Sequence, residues 1–179
     1  MNKKAAYVIA SFFGVGYSPK ASGTAGSLAT LPFAFVLAYW GGFYAMLAFF
    51  VLVYVAGTIA SKEVLKYTSH DPSLIVIDEV AGQLIPLMFF SANELPEMRI
   101  WWLYIALPSF VLFRIFDIFK PFPASYFDKK MLNEHGVMLD DIAAGIYALL
   151  VMVIFTHSAC FTSWAGFALR AVLRTLKIS

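Results

Sequence analysis

The sequence predicts an all-α fold, a multi-pass transmembrane helical bundle of five or six crossings built as a single domain over residues 1–179. Composition supports this, because 61% of the residues are hydrophobic and 13% are charged, whereas soluble domains carry about 25% charged residues. The mean hydropathy is +0.77. Long uncharged runs are the second observation, and they cover residues 21–61, 80–93, 100–113 and 142–169. A soluble helical protein with buried core helices remains the alternative, because the two middle runs are shorter than the roughly 20 residues of a membrane helix.

Breaks in the apolar pattern define the elements. Gly41 and Gly42 divide the first run and predict a helical hairpin. Asn93 and Pro96 predict a loop over residues 91–99. The predicted spans are 28–40, 43–61, 75–90, 100–118 and 142–157. Residues 161–177 form either a sixth span, which we slightly favour, or an interfacial helix.

Basic residues divide unequally between the two sides of this arrangement. Arg99 is alone on the side of the hairpin turn and of loop 91–99. The other side carries Lys3, Lys4, Lys20, Lys62, Lys66, Lys120, Lys129 and Lys130. Because cytoplasmic loops are enriched in Lys and Arg, this distribution predicts that the lysine-rich side faces the cytoplasm.

The carboxylates occupy the same side. Nine of the eleven Asp and Glu residues lie within residues 63–79 and 117–141. Hydrocarbon excludes ionised groups except where chemistry requires them. Acids concentrated at a membrane surface, with basic residues nearby, indicate a metal ion that meets a phosphate.

The first motif is the glycine-rich segment 14–27, which contains Lys20. Glycines allow backbone N–H groups to approach an anion, and a following helix N-terminus, capped by Thr24 or Ser27, would favour negative charge. It is not a P-loop, because no Gly-Lys-Ser/Thr follows at the required spacing. Taken alone, a flexible loop before a membrane helix is the more economical interpretation.

Asp78 and Glu79 form the second motif, at the head of an apolar segment. Burying such acids unpaired costs several kcal/mol, which a divalent cation with oxygen ligands, such as Mg²⁺, would offset. Adjacent helical residues point about 100° apart, so we expect only one of the two to face a metal directly. Solvated acids at a helix start are the alternative.

The third motif places Arg114, Asp117 and Lys120 at intervals of three residues, near one helical face if the helix continues to Pro121. Cations among Phe and Ile suit a phosphate site better than a lipid-facing surface. A structural triad at the membrane boundary is the alternative.

The fourth motif is Asp140-Asp141, followed by the small residues 143–145. One of these acids can cap the next helix, and the other can bind metal. The small residues would admit a neighbouring helix at close range.

At these four motifs the chain resembles the phosphatidylglycerophosphatase A family of Mg²⁺-dependent membrane lipid phosphatases. The matching elements are Ser18-Pro19-Lys20 with Gly23-Thr24-Ala25-Gly26-Ser27, Asp71-Pro72 with Asp78-Glu79-Val80-Ala81-Gly82-Gln83, Phe113-Arg114-x-Phe116-Asp117-x-x-Lys120-Pro121-x-Pro123, and Met138-Leu139-Asp140-Asp141-x-x-Ala144-Gly145. Ser22 departs from the proline expected in the first element. The resemblance implies hydrolysis of phosphatidylglycerophosphate to phosphatidylglycerol and inorganic phosphate.

The resulting site prediction uses residues from all four motifs. One or two Mg²⁺ ions would be held by Asp78, Glu79, Asp117, Asp140 and Asp141, with Asp140 as a reserve ligand or cap. The phosphate would be held by Lys20, Arg114 and Lys120, together with the segment Gly23, Thr24, Gly26 and Ser27. The predicted catalytic set is Lys20, Asp78, Arg114, Asp117, Lys120 and Asp141. The nucleophile is expected to be a water bound to the metal, with attack by an Asp as the alternative.

Other functions fit the sequence less well. An ion-coupled transporter would also place charges in the membrane, but these acids cluster on one side and no internal repeat is visible. Cys160 has Gly166 where a cysteine phosphatase would need Arg. A net charge of +2 does not indicate nucleic acid as a partner. The expected partner is therefore the membrane lipid, and the sequence leaves the oligomeric state open.

Overall fold

The computed structural model describes residues 1–68, 72–89 and 102–157, and these residues form six α-helices and no strand. The helices are α1 Lys3–Ala10, α2 Ser22–Val64, α3 Ile77–Phe89, α4 Leu107–Phe119, α5 Ala124–Lys130 and α6 Glu134–His157. A 3₁₀ turn follows α1 at Val15–Tyr17, and a π-helical turn precedes α4 at Trp102–Ala106. The predicted all-α class is confirmed for the described part of the chain.

The longest element, α2, is a helical hairpin. Its helical geometry breaks at Gly42, where φ is 58° and ψ is −150°, a conformation that glycine adopts without a steric penalty. Gly26 lies against Val76 and Gly57 lies against Ile77. A straight helix would hold the two glycines roughly 46 Å apart at 1.5 Å per residue. Because they contact consecutive residues instead, the chain doubles back at Gly42, and the predicted hairpin is confirmed.

The segment before α3 is fixed by the N-terminal region. The Val76 N–H donates at 2.9 Å to the carbonyl of Ala10, the last residue of α1. Gly16 lies against the Leu74 carbonyl, so a Cβ atom at residue 16 would collide with the carbonyl oxygen. Together these contacts set where α3 begins, and therefore where its first-turn acids lie.

Two glycines bring α3 and α6 into close contact. A Cβ at Gly82 would lie 2.5 Å from the backbone oxygen of Asp141, and one at Gly145 would collide with the Gly82 carbonyl. Larger residues would force the helices apart. The prediction that small residues after Asp141 admit a neighbouring helix is confirmed, and the contact brings the first turn of α3 beside the second turn of α6.

Two predicted helix starts were wrong. Neither Asp140 nor Asp141 is a cap, because α6 begins at Glu134. There the Asn133 side chain accepts hydrogen bonds from the N–H groups of His135 and Gly136. In α2, the Ala21 residue that precedes the helix adopts a left-handed conformation with φ of 49° and no side-chain cap. Thr24 and Ser27 therefore lie inside α2, and the Ser27 hydroxyl donates to the Gly23 carbonyl at 2.9 Å.

Two of the described helices, α2 and α6, are long and apolar enough to cross a membrane. Their outward faces expose large apolar side chains, including Leu28, Val36, Leu52, Ile59, Leu150 and Ile154. Exposed apolar side chains along two such helices are uncommon on soluble monomers, and with the length of α2 and α6 they support a membrane protein. The predicted loop 91–99, the tail 161–177, Asp71 and Cys160 lie outside the described residues.

Candidate metal centre

Three carboxylates from α3 and α6 form one compact group. Asp78, Glu79 and Asp141 each offer an oxygen, and these oxygens all lie within 4.8 Å of one another. Asp78 and Asp141 are only 6% and 3% exposed. The expectation that only one of the adjacent acids would face the centre was too strict, because the longer Glu79 side chain also reaches the group.

The three residues fit a hard divalent cation. The Glu79 Oε2 atom is buried and has no hydrogen-bond partner among the described residues. The Glu79 N–H donates to Asp78 Oδ1 at 3.0 Å. Because like charges buried at this spacing repel strongly and lose hydration, the group favours protons or a cation between its oxygens. Carboxylate oxygens are ligands suited to Mg²⁺ or Ca²⁺, so the group could hold such an ion.

An ion pair on α4 borders the acidic group. Arg114 Nη1 lies 2.6 Å from Asp117 Oδ2, and both side chains are largely buried. A Cβ at Gly23 would lie 3.1 Å from the same Arg114 nitrogen and would collide with Glu79 Oε1. Arg114 therefore lies between Asp117 and the Glu79 side of the group. Asp117 interacts electrostatically with both Glu79 and Asp141, although Asp117 itself lies outside the three-residue group.

Lys120 forms a second charged cluster beside the first. Its Nζ lies 2.6 Å from Asp128 Oδ1 and 2.7 Å from Asp140 Oδ2. Burial alone would lower the pKa of Lys120, but the two carboxylates outweigh burial and raise its pKa above the ordinary value. The predicted row of Arg114, Asp117 and Lys120 on one helical face is incomplete, because α4 ends at Phe119 and Lys120 turns away with φ of 42°.

The N-terminus of α2 meets the acidic group at Gly23. Because Ala21 provides no side-chain cap, the first N–H groups of α2 are available to an anion. Lys20 is exposed just before the helix begins. Gly23 and Thr24 lie in this first turn, whereas Gly26 and Ser27 lie deeper and are buried, with Gly26 packed against Val76. Of the predicted phosphate-binding residues, Gly23 and Thr24 therefore lie at the start of the helix, whereas Gly26 and Ser27 pack inside the protein.

Two residues near the acidic group were not predicted as site residues from the sequence. Asp128 shares Lys120 with Asp140, and its position one helix after Lys120 gave only a weak indication. Gln83 is fully buried, and neither polar atom of its side chain has a hydrogen-bond partner among the described residues. Its spacing of four residues from Glu79 was the available signal.

Substitution of Gly23 by Ala tests the contact between α2 and the acidic group. The added methyl would displace the flexible Glu79 carboxylate, so we expect divalent-cation affinity to fall at least about tenfold while the thermal unfolding temperature changes little. Isothermal titration of the purified protein measures the affinity. Ser22→Ala, one residue earlier, should retain the wild-type value. Unchanged affinity in Gly23→Ala would show that Glu79 does not contact the cation.

A family model described as phosphatidylglycerophosphatase A matches residues 8–156. A phosphatidylglycerophosphatase A from Haemophilus influenzae is 37% identical over 147 residues, which cover 82% of this chain and 85% of the relative. The Escherichia coli protein of the same name is 34% identical over 155 residues, covering 84% and 83%. A Bacteroides thetaiotaomicron relative, 36% identical over 154 residues and covering 82% and 91%, is named as an unproven phosphatidylinositol-3-phosphatase. No solved structure matches the chain.

Proposed function

The chain belongs to the phosphatidylglycerophosphatase A family, and we propose that it hydrolyses phosphatidylglycerophosphate to phosphatidylglycerol and inorganic phosphate. The observation that supports this most strongly is the acidic group of Asp78, Glu79 and Asp141 beside Arg114 and the uncapped start of α2. Such a site joins cation ligands to anion-binding groups, as phosphoryl transfer requires. A transporter is not favoured, because these acids lie in the first two turns of their helices and not near the middle.

Magnesium is the proposed metal. Asp78, Glu79 and Asp141 would hold it, with Asp117 and Asp140 as further ligands from the two neighbouring ion pairs. When bound, the ion would supply charge neutralisation for the phosphate oxygens. Without it, the carboxylates of α3 and α6 would repel the anionic substrate.

The phosphate itself would meet three kinds of donor. Arg114 can fork to two phosphate oxygens, and its 2.6 Å contact with Asp117 fixes the direction of the guanidinium. The first N–H groups of α2 near Gly23 would bind a further oxygen, and the exposed Lys20 would close the site from the solvent side.

Lys120 is the predicted phosphate ligand that the geometry supports least directly. Its ammonium already contacts Asp128 and Asp140, so it would have to exchange a partner to reach the substrate. The arrangement favours a role in which Lys120 holds Asp140 and thereby orients the neighbouring Asp141.

The proposed reaction is tested by phosphate release from phosphatidylglycerophosphate in detergent. We expect release that depends on Mg²⁺ and is abolished by chelation. Asp78→Asn and Asp117→Asn should each lower kcat/KM by about 10²-fold or more, because each loses several kcal/mol of transition-state stabilisation. Phosphatidylinositol 3-phosphate serves as the competing substrate and should be hydrolysed more slowly.

A matched control for these variants is Glu63→Gln. Glu63 is an acid near the end of α2 that pairs with Lys66 at 2.6 Å, away from the acidic group, so its loss should leave turnover unchanged. Near-normal turnover of both Asp variants at saturating Mg²⁺ would show that the metal assignment is wrong.

For the membrane arrangement, we propose five or six crossings in the bacterial inner membrane, with the acidic end in the cytoplasm. Each arm of the α2 hairpin is long enough to span roughly 30 Å. Trp40 and Tyr44, near its turn, are 81% and 82% exposed, as aromatic residues at a membrane interface are. Lys62, Lys66 and Lys129 lie at the opposite end, and the positive-inside rule assigns that end to the cytoplasm.

Cysteine labelling in intact cells tests this orientation in a Cys160→Ser background. Tyr44→Cys, at the hairpin turn, should react with an impermeant maleimide, whereas Lys66→Cys and Lys129→Cys should react only after the cells are opened. The reverse pattern would invert the proposed topology and place the acidic group outside the cytoplasm.

The lipid tails require that the site open sideways to the membrane. Phe119 and Phe122 flank Lys120 and are 79% and 75% exposed, so they are the proposed apolar mouth. Phe116 belongs to the packed interior, because its ring lies 5.4 Å from that of Tyr147, and the Tyr147 hydroxyl donates to the Phe122 carbonyl. Lys129 and Lys130 would add attraction to an anionic leaflet, about 1 kcal/mol each.

Lateral access predicts a preference for the lipid over glycerol phosphate, because the tails contribute binding energy through partition into the bilayer. Phe119→Ser and Phe122→Ser should raise KM for the lipid in vesicles and leave hydrolysis of glycerol phosphate unchanged. Leu107→Ser, at the opposite end of α4, is the control. Equal kcat/KM for the two substrates would contradict lateral access without affecting the metal assignment.

A further inference from the structure

Gln83 is the most anomalous polar side chain of the described residues. It lies on α3 with no exposed surface, and neither its amide nitrogen nor its amide oxygen has a hydrogen-bond partner there. A buried polar group left without partners costs about 1–3 kcal/mol. Folding alone would favour an apolar residue of similar size at this position, so the carboxamide requires another explanation.

Its place on α3 points to the acidic group. Gln83 follows Glu79 by four residues, so the two side chains share one face of α3 on successive turns. The Glu79 carboxylate contacts the first turn of α2 at Gly23. Long helical side chains lean towards the helix N-terminus, which directs the Gln83 amide back towards Glu79.

Glu79 has an unpaired hydrogen-bond acceptor, and Gln83 has an unpaired donor, among the residues that the structure describes. Within the described part of the chain, Glu79 Oε2 is buried and accepts no hydrogen bond, while the Gln83 Nε2 group is buried and donates none. On α2, the Ser27 hydroxyl donates to the Gly23 carbonyl and the Thr30 hydroxyl donates to the Gly26 carbonyl, both at 2.9 Å, so neither proton is available to Glu79. Gln83 is therefore well suited to donate to Glu79.

We propose that Gln83 is a positioning residue for the metal centre. Gln83 Nε2 and Glu79 Oε2 are not hydrogen-bonded to each other in this structure, and the amide N–H would donate to Oε2 when a cation holds Oε1. This role rests on the proposed metal site. A neutral amide suits it, since it orients the carboxylate without neutralising it as a lysine would. Hydrogen-bond partners of metal ligands typically change metal affinity by 10–100-fold when they are lost.

The test measures Mn²⁺ binding to the purified protein by calorimetry, in detergent and without substrate. Gln83→Met retains the volume and removes both polar atoms. We expect its Kd for Mn²⁺ to rise about 10–100-fold, while its unfolding temperature stays equal to that of the wild type or increases because an unsatisfied amide is gone. Ser109→Ala removes a buried hydroxyl on α4 that has no partner among the described residues. It should leave the Kd for Mn²⁺ unchanged, with an unfolding temperature equal to or above that of the wild type for the same reason.

The outcomes separate this role from the alternatives. An unchanged Kd for Mn²⁺ in Gln83→Met would overturn the inference. If the KM for the lipid rose at the same time, the result would indicate that Gln83 contacts the substrate instead. If Gln83→Met does not fold, Gln83→Leu answers the same question. Failure of the wild type to bind Mn²⁺ would overturn the proposed metal site itself, whereas wild-type binding with unaffected Gln83 variants overturns only the positioning role.

Discussion

Mutual repulsion among buried carboxylates is the constraint on which this structure depends. Asp78, Glu79 and Asp141 hold their oxygens within 4.8 Å of one another, an arrangement that loses hydration and gains like-charge repulsion on folding. The surrounding elements hold the three carboxylates together despite this repulsion. Gly82 and Gly145 remove the side chains that would separate α3 from α6, and the N-terminal contacts to residues 74–76 fix where α3 starts.

Charge compensation is distributed around this group and not placed inside it. Arg114 and Lys120 each bind carboxylates next to the group, at 2.6–2.7 Å, but two cations do not balance the five acids of the motifs. The remaining negative charge favours a divalent cation, and the uncapped α2 helix start provides a place for the anion that such a cation attracts. Metal and phosphate binding thus follow from one electrostatic arrangement at the end of the bundle.

The sequence predicted the features that depend on local spacing. The hairpin followed from Gly41-Gly42, and the Arg114–Asp117 pair followed from an interval of three residues on one helix. It did not predict the direction of Lys120, because that depends on where α4 ends and on Asp128 in the next helix. The sequence placed Asp141 ahead of Asp140 as a ligand, but the contact between α3 and α6 that brings Asp141 to the acidic group is visible only in the structure. The start of α6 was missed because Asn133, an unremarkable loop residue in the sequence, is the cap.

The account is tested most directly by anomalous diffraction from crystals grown with Mn²⁺, a scatterer that occupies oxygen-ligand sites. It predicts a peak at about 2.0–2.6 Å from carboxylate oxygens of Asp78, Glu79 and Asp141, the range for oxygen ligands of Mg²⁺ and Ca²⁺. A peak bound only by Asp128 and Asp140, or no peak between α3 and α6 in a protein that still hydrolyses its lipid with Mn²⁺, would contradict it.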